Sequence, residues 1–322
     1  MESTNRIIEL LYGRQGGYFS LKELAGAVGL DQAGLKRRLD MLTRAAVDIE
    51  SSPAEGVRLV RCGRLISHLI ERNLPTSRIG RSVVCYDEVN STNDIAFDAA
   101  RSGRSDGLVV LAESQRRGRG RQGRKWLDKP ATNIACSILL INDSGRLAHE
   151  PLTIATGLAV SQAIDQCCGL QSELKWPNDV LLDGEKVAGV LIELRNNSRA
   201  AVVLGVGINV NFAPPSNQVD RPATCLAAQT GQPIERIEII RAFLIRMDYW
   251  VAKITQGELD ELRQAWVSRC GMINQRVTIA SAGREFVGRV LDISPLEGII
   301  LIGDDGRQVH LPAAGASIVD SA

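Results

Sequence analysis

Asp183-Gly184 stands between two apolar runs, residues 180–182 and 187–192. An aspartate–glycine pair in that setting makes a two-residue hairpin, because both turn positions need a positive φ and this pair adopts one at little cost. A tight turn fixes the pairing register, and a slip of one residue would turn every side chain to the wrong face. The register then reads Leu182 opposite Glu185, Leu181 opposite Lys186 and Asp179 opposite Ala188. Lys186 and Asp179 become diagonal neighbours on one face, about 7–8 Å apart at the backbone and within side-chain reach. Such a pair on a half-buried strand is either a structural ion pair or the floor of a polar pocket. Gly189, in the strand interior, marks a bulge or a close approach to the backbone.

A second stretch adds a ligand class. From Glu113 to Trp126 the chain carries five arginines, one lysine and three glycines, between apolar runs at 108–112 and 134–140. Those runs read as short buried strands, so the basic segment is a loop held between sheet elements. Glycine lets a ligand approach the backbone, and guanidinium forks supply planar, permanent donors for carboxylate or phosphate oxygens. Residues 113–129 hold seven basic and two acidic residues, a local +5 in a chain of net charge +1. An anionic ligand explains this concentration; a solvated loop or a nucleic-acid patch is the alternative. Ordering such a loop costs entropy, so it is expected to be mobile without ligand.

The bulk composition narrows the class. At 322 residues, 44% hydrophobic and 23% charged, the chain is long enough for two or three domains of a soluble protein. Aromatics make up only 4%, which disfavours base stacking as the main chemistry. No apolar run reaches membrane-spanning length, and the first residues lack a signal-peptide pattern, so a cytoplasmic location without membrane association is expected. The seven cysteines are scattered without a CxxC pair and the three histidines lie far apart, so no metal site built from protein ligands is expected. No GxxxxGK[ST] occurs, which excludes a P-loop kinase at the motif level.

Residues 1–74 read as a unit. A first helix covers residues 5–12; Ser20-Leu21-Lys22-Glu23 has the capping-box form, with Leu21, Leu24, Ala25 and Val28 on one helical face. Gly29 breaks that helix, and Asp31 caps a third that buries Leu35, Leu39 and Leu42 and exposes Lys36, Arg37 and Arg38. Two helices at a glycine turn, followed by a hairpin over 47–60, make a winged helix-turn-helix, whose DNA-binding candidates are Ser20, Lys22, Lys36, Arg37 and Arg38. A helical domain docked on the rest of the chain is the alternative, since eleven basic against nine acidic residues through Arg72 is a weak footprint. A connecting helix is expected over 64–73.

A second unit spans 75–270. Its strand at 83–86 leads to Ser91-Thr92-Asn93 ahead of a helix at 94–100; these are helix caps or hydrogen-bonding partners for a polar headgroup. A helix covers 152–168. In the strand at 200–210, Gly205, Gly207 and Asn209 fall on one face and leave room for a flat ligand or a packed ring. Helices follow over 235–255 and 259–268. Residues 271–322 alternate in short strands with turns at Ala282-Gly283, Glu297-Gly298 and Asp305-Gly306, a small antiparallel barrel or sandwich.

Taken together, Ser91-Thr92-Asn93, the Gly118 to Lys125 loop with Trp126, Lys175-Trp176-Pro177-Asn178-Asp179 with Lys186, and Gly205-Val206-Gly207-Ile208-Asn209 resemble biotin protein ligase. With the winged helix in front, the chain resembles the bifunctional bacterial biotin ligases and biotin-operon repressors along its whole length. The resemblance implies an α+β multidomain fold: a winged helix-turn-helix, a central mixed-sheet ligase domain of the biotin/lipoate type, and an SH3-like barrel. It implies a two-step reaction through biotinyl-5′-AMP, with ATP, biotin and Mg²⁺, and transfer to a lysine of the biotin carboxyl carrier protein of acetyl-CoA carboxylase. By the family pattern Ser91, Thr92, Asn93, Gln115 and Gly189 meet biotin, and Arg119-Gly120-Arg121 folds over biotin and its adenylate. Gly118, Asn178 and Asn209 lie at the adenylate, Lys186 holds the carboxylate and α-phosphate, and Asp179 serves the acceptor amine or orients Lys186. Operator DNA and a ligand-promoted homodimer are the further partners implied. The competing readings are a lipoate or octanoate ligase of the sister family and a non-catalytic, ligand-sensing regulator. Departures from the family lie in the third helix, which gives no operator sequence, and in Arg116-Arg117 ahead of Gly118.

Overall fold

The computed structural model describes residues 2–14, 16–44, 47–103, 106–196, 200–219, 221–294, 298–312 and 317–321. The apolar periodicity at the N-terminus sorts into helices α1 (Glu2–Gly13), α2 (Leu21–Ala27) and α3 (Gln32–Arg44), which bury Ile7, Leu11, Leu24, Leu35, Leu39 and Leu42 together. The Ser20 hydroxyl accepts from the Glu23 N–H at 3.1 Å, while the Glu23 carboxylate takes Arg14 Nη1 at 2.9 Å instead of closing the capping box. Leu21, expected on the buried face, is 43% exposed: as the first helical residue it lies ahead of the turn that packs, and burial begins at Leu24.

Strands β1 (Val47–Ser52) and β2 (Gly56–Cys62) form the expected hairpin. A Cβ at Gly56 would lie 1.9 Å from the Phe19 carbonyl oxygen, where Phe19 and Val57 exchange two backbone hydrogen bonds. The connecting helix is shorter than expected, only α4 (Ser67–Glu71). The backbone before it is drawn out by side chains from elsewhere: Glu235 and Glu113 accept from the N–H groups of Cys62 and Leu65, each at 2.7 Å, and Arg236 holds the Gly63 carbonyl at 2.8 Å.

The centre is a seven-stranded mixed sheet. In chain order its strands and helices are β3 (Val83–Tyr86), α5 (Thr92–Arg101), β4 (Val109–Ala112), β5 (Ile134–Ile141), α6 (His149–Cys168), β6 (Glu173–Lys175), β7 (Asp179–Leu182), β8 (Glu185–Asn196) and β9 (Ala200–Ile208). The spatial order is β3-β4-β5-β9-β8-β7-β6, with β3 and β4 parallel and the other neighbours antiparallel. Alternation along the strands makes two cores. Val110, Leu139, Ala201 and Val203 pack against Ala96 and Phe97 of α5, while Leu111, Ile138, Val202 and Leu204 face the opposite, larger core with α6.

Helices α7 (Leu226–Thr230), α8 (Arg236–Gln256) and α9 (Leu259–Val267) follow. A five-stranded antiparallel sheet then forms from β10 (Arg276–Ser281), β11 (Arg284–Ser294), β12 (Gly298–Ile302), β13 (Gln308–Leu311) and β14 (Ser317–Ser321), in the order β13-β12-β11-β10-β14. The expected Glu297-Gly298 turn involves a residue, Glu297, outside those described. The sequence reading missed β6, α7 and β14, which are three to five residues long and carry little periodicity.

Candidate active site

Strand β9 opens the site. Its odd positions Ala201 and Val203 lie under α5, and the same face continues as Gly205 and Gly207. A Cβ at Gly205 would stand 2.6 Å from Asn93 Oδ1, and one at Gly207 would stand 2.3 Å from Trp126 Cε2. Of the two sequence readings for this face, the packed ring is the one found. Beside this row lies a cavity of about 440 Å³, within the usual range for a small-molecule site.

The N-terminal turn of α5 builds the uncharged end. Ser91 stands at the N-cap position without a side-chain capping bond, and Thr92 and Asn93 lie in the first turn; all three are buried. Gln115 Oε1 accepts from the Thr92 N–H at 2.9 Å and lies 3.1 Å from its hydroxyl. Ser137 Oγ, fully buried on β5, lies 2.7 Å from Thr92 Oγ1 and 2.5 Å from Asn93 Oδ1. These side chains therefore hold one another as a network rather than acting only as helix caps.

The basic loop folds as a small hairpin. Trp126 N–H donates to the Gly118 carbonyl at 3.0 Å, Gly120 N–H to that of Arg124 at 2.7 Å, and Arg119 bridges Lys125. Gly118 sits at its neck, where a Cβ would be 2.9 Å from the Trp126 carbonyl oxygen. At the tip, Gln122 and Gly123 both have positive φ, 56° and 74°. Arg119, expected with Arg121 to fold over the ligand, makes two 2.9 Å bonds to Asp94 and one of 3.3 Å to Glu193. Its charge is neutralised there, and the bond from Arg119 holds the Asp94 carboxyl below the usual carboxylate range. Arg121 instead reaches toward Asn178, with Nη1 3.4 Å from Asn178 Oδ1. Burial pulls its guanidinium below the ordinary arginine value, opposed by the Asp179 carboxylate; the group stays charged at any physiological pH.

The β7–β8 hairpin supplies the other charged wall. Asp183 and Gly184 have φ of 49° and 77°, the two positive values that the turn requires. The register matches the expected one through Leu181 opposite Lys186, then shifts by one: Asp179 faces Gly189, not Ala188. A β-bulge absorbs the extra residue, a device the alternation pattern could not reveal because Val187 and Ala188 are both apolar and both fully buried. With the bulge, Lys186 Nζ lies 2.6 Å from Asp179 Oδ1, and a Cβ at Gly189 would meet that Nζ at 3.1 Å. The Asn178 amide is anchored on the Val190 carbonyl at 2.8 Å. Asn209, expected at a nucleotide, donates to the Thr224 carbonyl at 3.0 Å and so pins the segment that closes the far end.

One cavity thus gathers Ser91, Thr92, Asn93, Gln115, Arg119, Gly120, Arg121, Asn178, Asp179, Lys186, Gly189 and Asn209. Val219 and Arg221 from the 214–223 segment and Ile318 from β14 also line it. Sequence reading missed these three, as well as Asp94, Glu193 and Ser137. Ser137 alone left a trace, as a lone hydroxyl inside an apolar strand. Of the DNA-binding candidates, Lys22, Lys36 and Arg37 are exposed, whereas Arg38 is half-buried and donates to Thr4 Oγ1 at 3.0 Å, correcting its place on the exposed face.

Residues 86–209 match the Biotin/lipoate A/B protein ligase family. The chain is 34% identical to the biotin–[acetyl-CoA-carboxylase] ligase of Paracoccus denitrificans over 232 residues, covering 70% of this chain and 95% of that one. It is 27% identical to the bifunctional ligase/repressor BirA of Bacillus subtilis strain 168 over 309 residues, 94% of this chain and 95% of that one. Among solved structures, the biotin protein ligase of Aquifex aeolicus in complex with biotin and ATP superposes with a TM-score of 0.66 at 27% identity, covering 74% of this chain and 98% of that one.

Proposed function

The chain belongs to the biotin protein ligases of the biotin/lipoate A/B protein ligase family, and we propose that the 440 Å³ cavity is where it activates biotin with ATP and passes it to a protein lysine. The enzyme is a biotin–[acetyl-CoA-carboxylase] ligase, and biotin and ATP are its small substrates. The observation that carries the assignment of the site is the meeting, in one cavity, of a neutral hydrogen-bonding end with a cationic end formed by Arg121 and Lys186.

In our reading the ring of biotin takes the Ser91–Thr92–Asn93–Gln115 end, and its carboxylate points to Lys186. A carboxylate oxygen attacks the α-phosphorus of ATP, the bond to pyrophosphate breaks, and biotinyl-5′-AMP forms. Two anions must be brought together, so fixed cations at the point where charge accumulates lower the barrier. Arg121, Lys186 and Arg119 have this role in our reading; Arg119 is held by Asp94 and Glu193 as Lys186 is held by Asp179. The amine of the acceptor lysine then attacks the acyl carbon and AMP leaves. Of the two roles considered for Asp179, its 2.6 Å ion pair supports orienting Lys186. Asn178 and Asn209 lie at the adenylate end, and Gly118, which does not line the cavity, acts through the neck of the hairpin that carries Arg119 and Arg121. Magnesium enters with ATP in this reading. Asp179 is the carboxylate of the lining that would hold it, with phosphates and water as the other ligands, and it would offset the phosphate charge.

The acceptor is the biotin carboxyl carrier protein of acetyl-CoA carboxylase. The test is to supply biotin, ATP, Mg²⁺ and a carrier domain and follow the carrier mass. Biotinylation by the wild type, reduced at least about a hundredfold in Lys186→Ala, is expected; an undiminished variant would remove Lys186 from the reaction.

A repressor reading rests on a separate observation: exposed Lys22, Lys36 and Arg37 on α2 and α3 next to the β1–β2 hairpin, a winged-helix arrangement. We place operator DNA there, the domain limits near 1–74, 75–270 and 271–322, an SH3-like role for the C-terminal sheet, and a ligand-promoted homodimer through sheet edges and loops of the central unit. The location is cytoplasmic in this reading, and among the described residues no helix is long and apolar enough to cross a membrane.

A further inference from the structure

Beside Arg121 lies a further, small cavity of about 20 Å³, which shares Arg121, Pro177, Val190 and Leu191 with the large one. It is lined by Arg121, Pro177, Val190, Ile192, Thr153 and His149. That volume accommodates about one water molecule. His149 is the first residue of α6 and half-buried, and it lines this cavity together with Ile192 of β8. Its Nδ1 is buried and has no hydrogen-bond partner among the described residues. A buried acceptor nitrogen without a partner is costly, and here it shares a one-water cavity with a guanidinium, a group that only donates.

We propose that His149 is a positioning residue for the ligase reaction: a neutral imidazole that accepts at Nδ1 from Arg121 through one water and holds that guanidinium at the reacting phosphate. The surroundings keep the ring neutral. Burial lowers its tendency to protonate, Arg121 acts in the same direction, and Glu150 on its own helix and the Ile192 backbone oppose them. The N-terminal end of a 20-residue helix also disfavours an imidazolium. Arg121 is the titratable group lining this cavity besides His149; β8 contributes Val190, Leu191 and Ile192, which do not titrate. Protonation would remove the acceptor and set a second cation against Arg121.

This inference rests on Arg121 acting at the adenylate. The folded histidine titrates below its ordinary value of 6.5, so the function is intact at neutral pH and is lost as pH falls through that lowered value. The experiment measures biotin-dependent ATP–pyrophosphate exchange from pH 5 to 8 for wild type, His149→Gln, His149→Leu, Arg121→Gln and the His149→Leu/Arg121→Gln double variant. His149→Leu is expected to lower kcat about tenfold, the weight of one hydrogen bond to a charged group, with the KM for biotin little changed. In the Arg121→Gln background the same change is expected to cost almost nothing, and His149→Gln, which accepts but does not titrate, is expected to lose the acid limb of the wild-type profile. Additive losses in the double variant, or an identical acid limb in His149→Gln, would overturn the proposal. An undiminished Arg121→Gln would instead overturn the role given to Arg121. Should His149→Leu fail to fold, the His149→Gln profile decides alone.

Discussion

A single absent carbon at position 207 sets the wall of the cavity. The indole of Trp126 lies where an alanine methyl would be, 2.3 Å from the ring. Gly207→Ala must therefore move Trp126 or the strand, and overpacking of this kind costs about 1–3 kcal/mol. The expected outcome is a KM for biotin raised about tenfold, the equivalent of some 1.4 kcal/mol, together with a shift in tryptophan fluorescence; unchanged values of both would show that the ring does not form the wall. Gly207 and Asn209 were legible as a flat face in sequence, because strand alternation is rigid. The ring that fills the face was not, since it comes from residue 126, over seventy positions earlier. Arg119 shows the opposite limit: its type and place in a basic loop were plain, but the carboxylates that neutralise it, Asp94 and Glu193, come from a helix and a strand with no local signal linking them.

At the scale of elements, the two hairpins at the site differ in how much their turns reveal. Asp183-Gly184 fixed the β7–β8 turn to the residue, while the bulge that moves Asp179 opposite Gly189 lay hidden in two consecutive buried apolar residues. The 118–126 segment was legible as a basic, glycine-rich loop but not as a hairpin; its backbone pairing needs a close approach at Gly118, where a Cβ would be 2.9 Å from the Trp126 carbonyl oxygen. The start and buried face of helix α3 were legible from its leucine spacing and Asp31 cap, which accepts from the Gly34 N–H at 2.7 Å. On that helix Lys36 and Arg37 face solvent and Arg38 does not. In the repressor reading, Lys36→Ala and Arg37→Ala each weaken DNA binding and flatten its salt dependence, by about 0.9 in log–log slope for each phosphate that is no longer neutralised. Arg38→Ala is expected to act mainly on stability. Gel-shift titrations across salt concentrations check this, and equal slopes for all variants would remove α3 from the interface.

At the scale of the whole molecule, α8 ties the N-terminal unit to the central sheet. Arg241 Nη1 donates to the carbonyls of Leu69, Ile70 and Arg72 at 2.7–2.9 Å, Tyr12 bonds Glu238, and Asp248 accepts from the N–H groups of Ser77, Arg78 and Ile79. The most deeply buried tie is Arg236–Glu113, at 2.7 Å and only 2% and 9% exposed. Glu113 also accepts from the Leu65 N–H and stands two residues before Gln115, which lines the large cavity. Arg236→Met leaves that carboxylate buried without its cation and is expected to cost about 3–5 kcal/mol in denaturant unfolding, whereas Arg236→Met with Glu113→Leu should lose less. Equal losses would show that the pair carries no such penalty. None of these ties was legible in sequence. Individual elements could be read from their periodicity, but docking depends on single charged residues scattered along α8.

The most direct measurement is mass spectrometry of the purified chain after incubation with ATP, Mg²⁺ and either biotin or lipoate. The account expects biotinyl-5′-AMP from biotin, no lipoyl-AMP, and loss of the product in Lys186→Ala. Lipoyl-AMP in place of biotinyl-AMP would move the chain to the sister ligases, and no adenylate from either acid would contradict the assignment of the cavity as a site of catalysis.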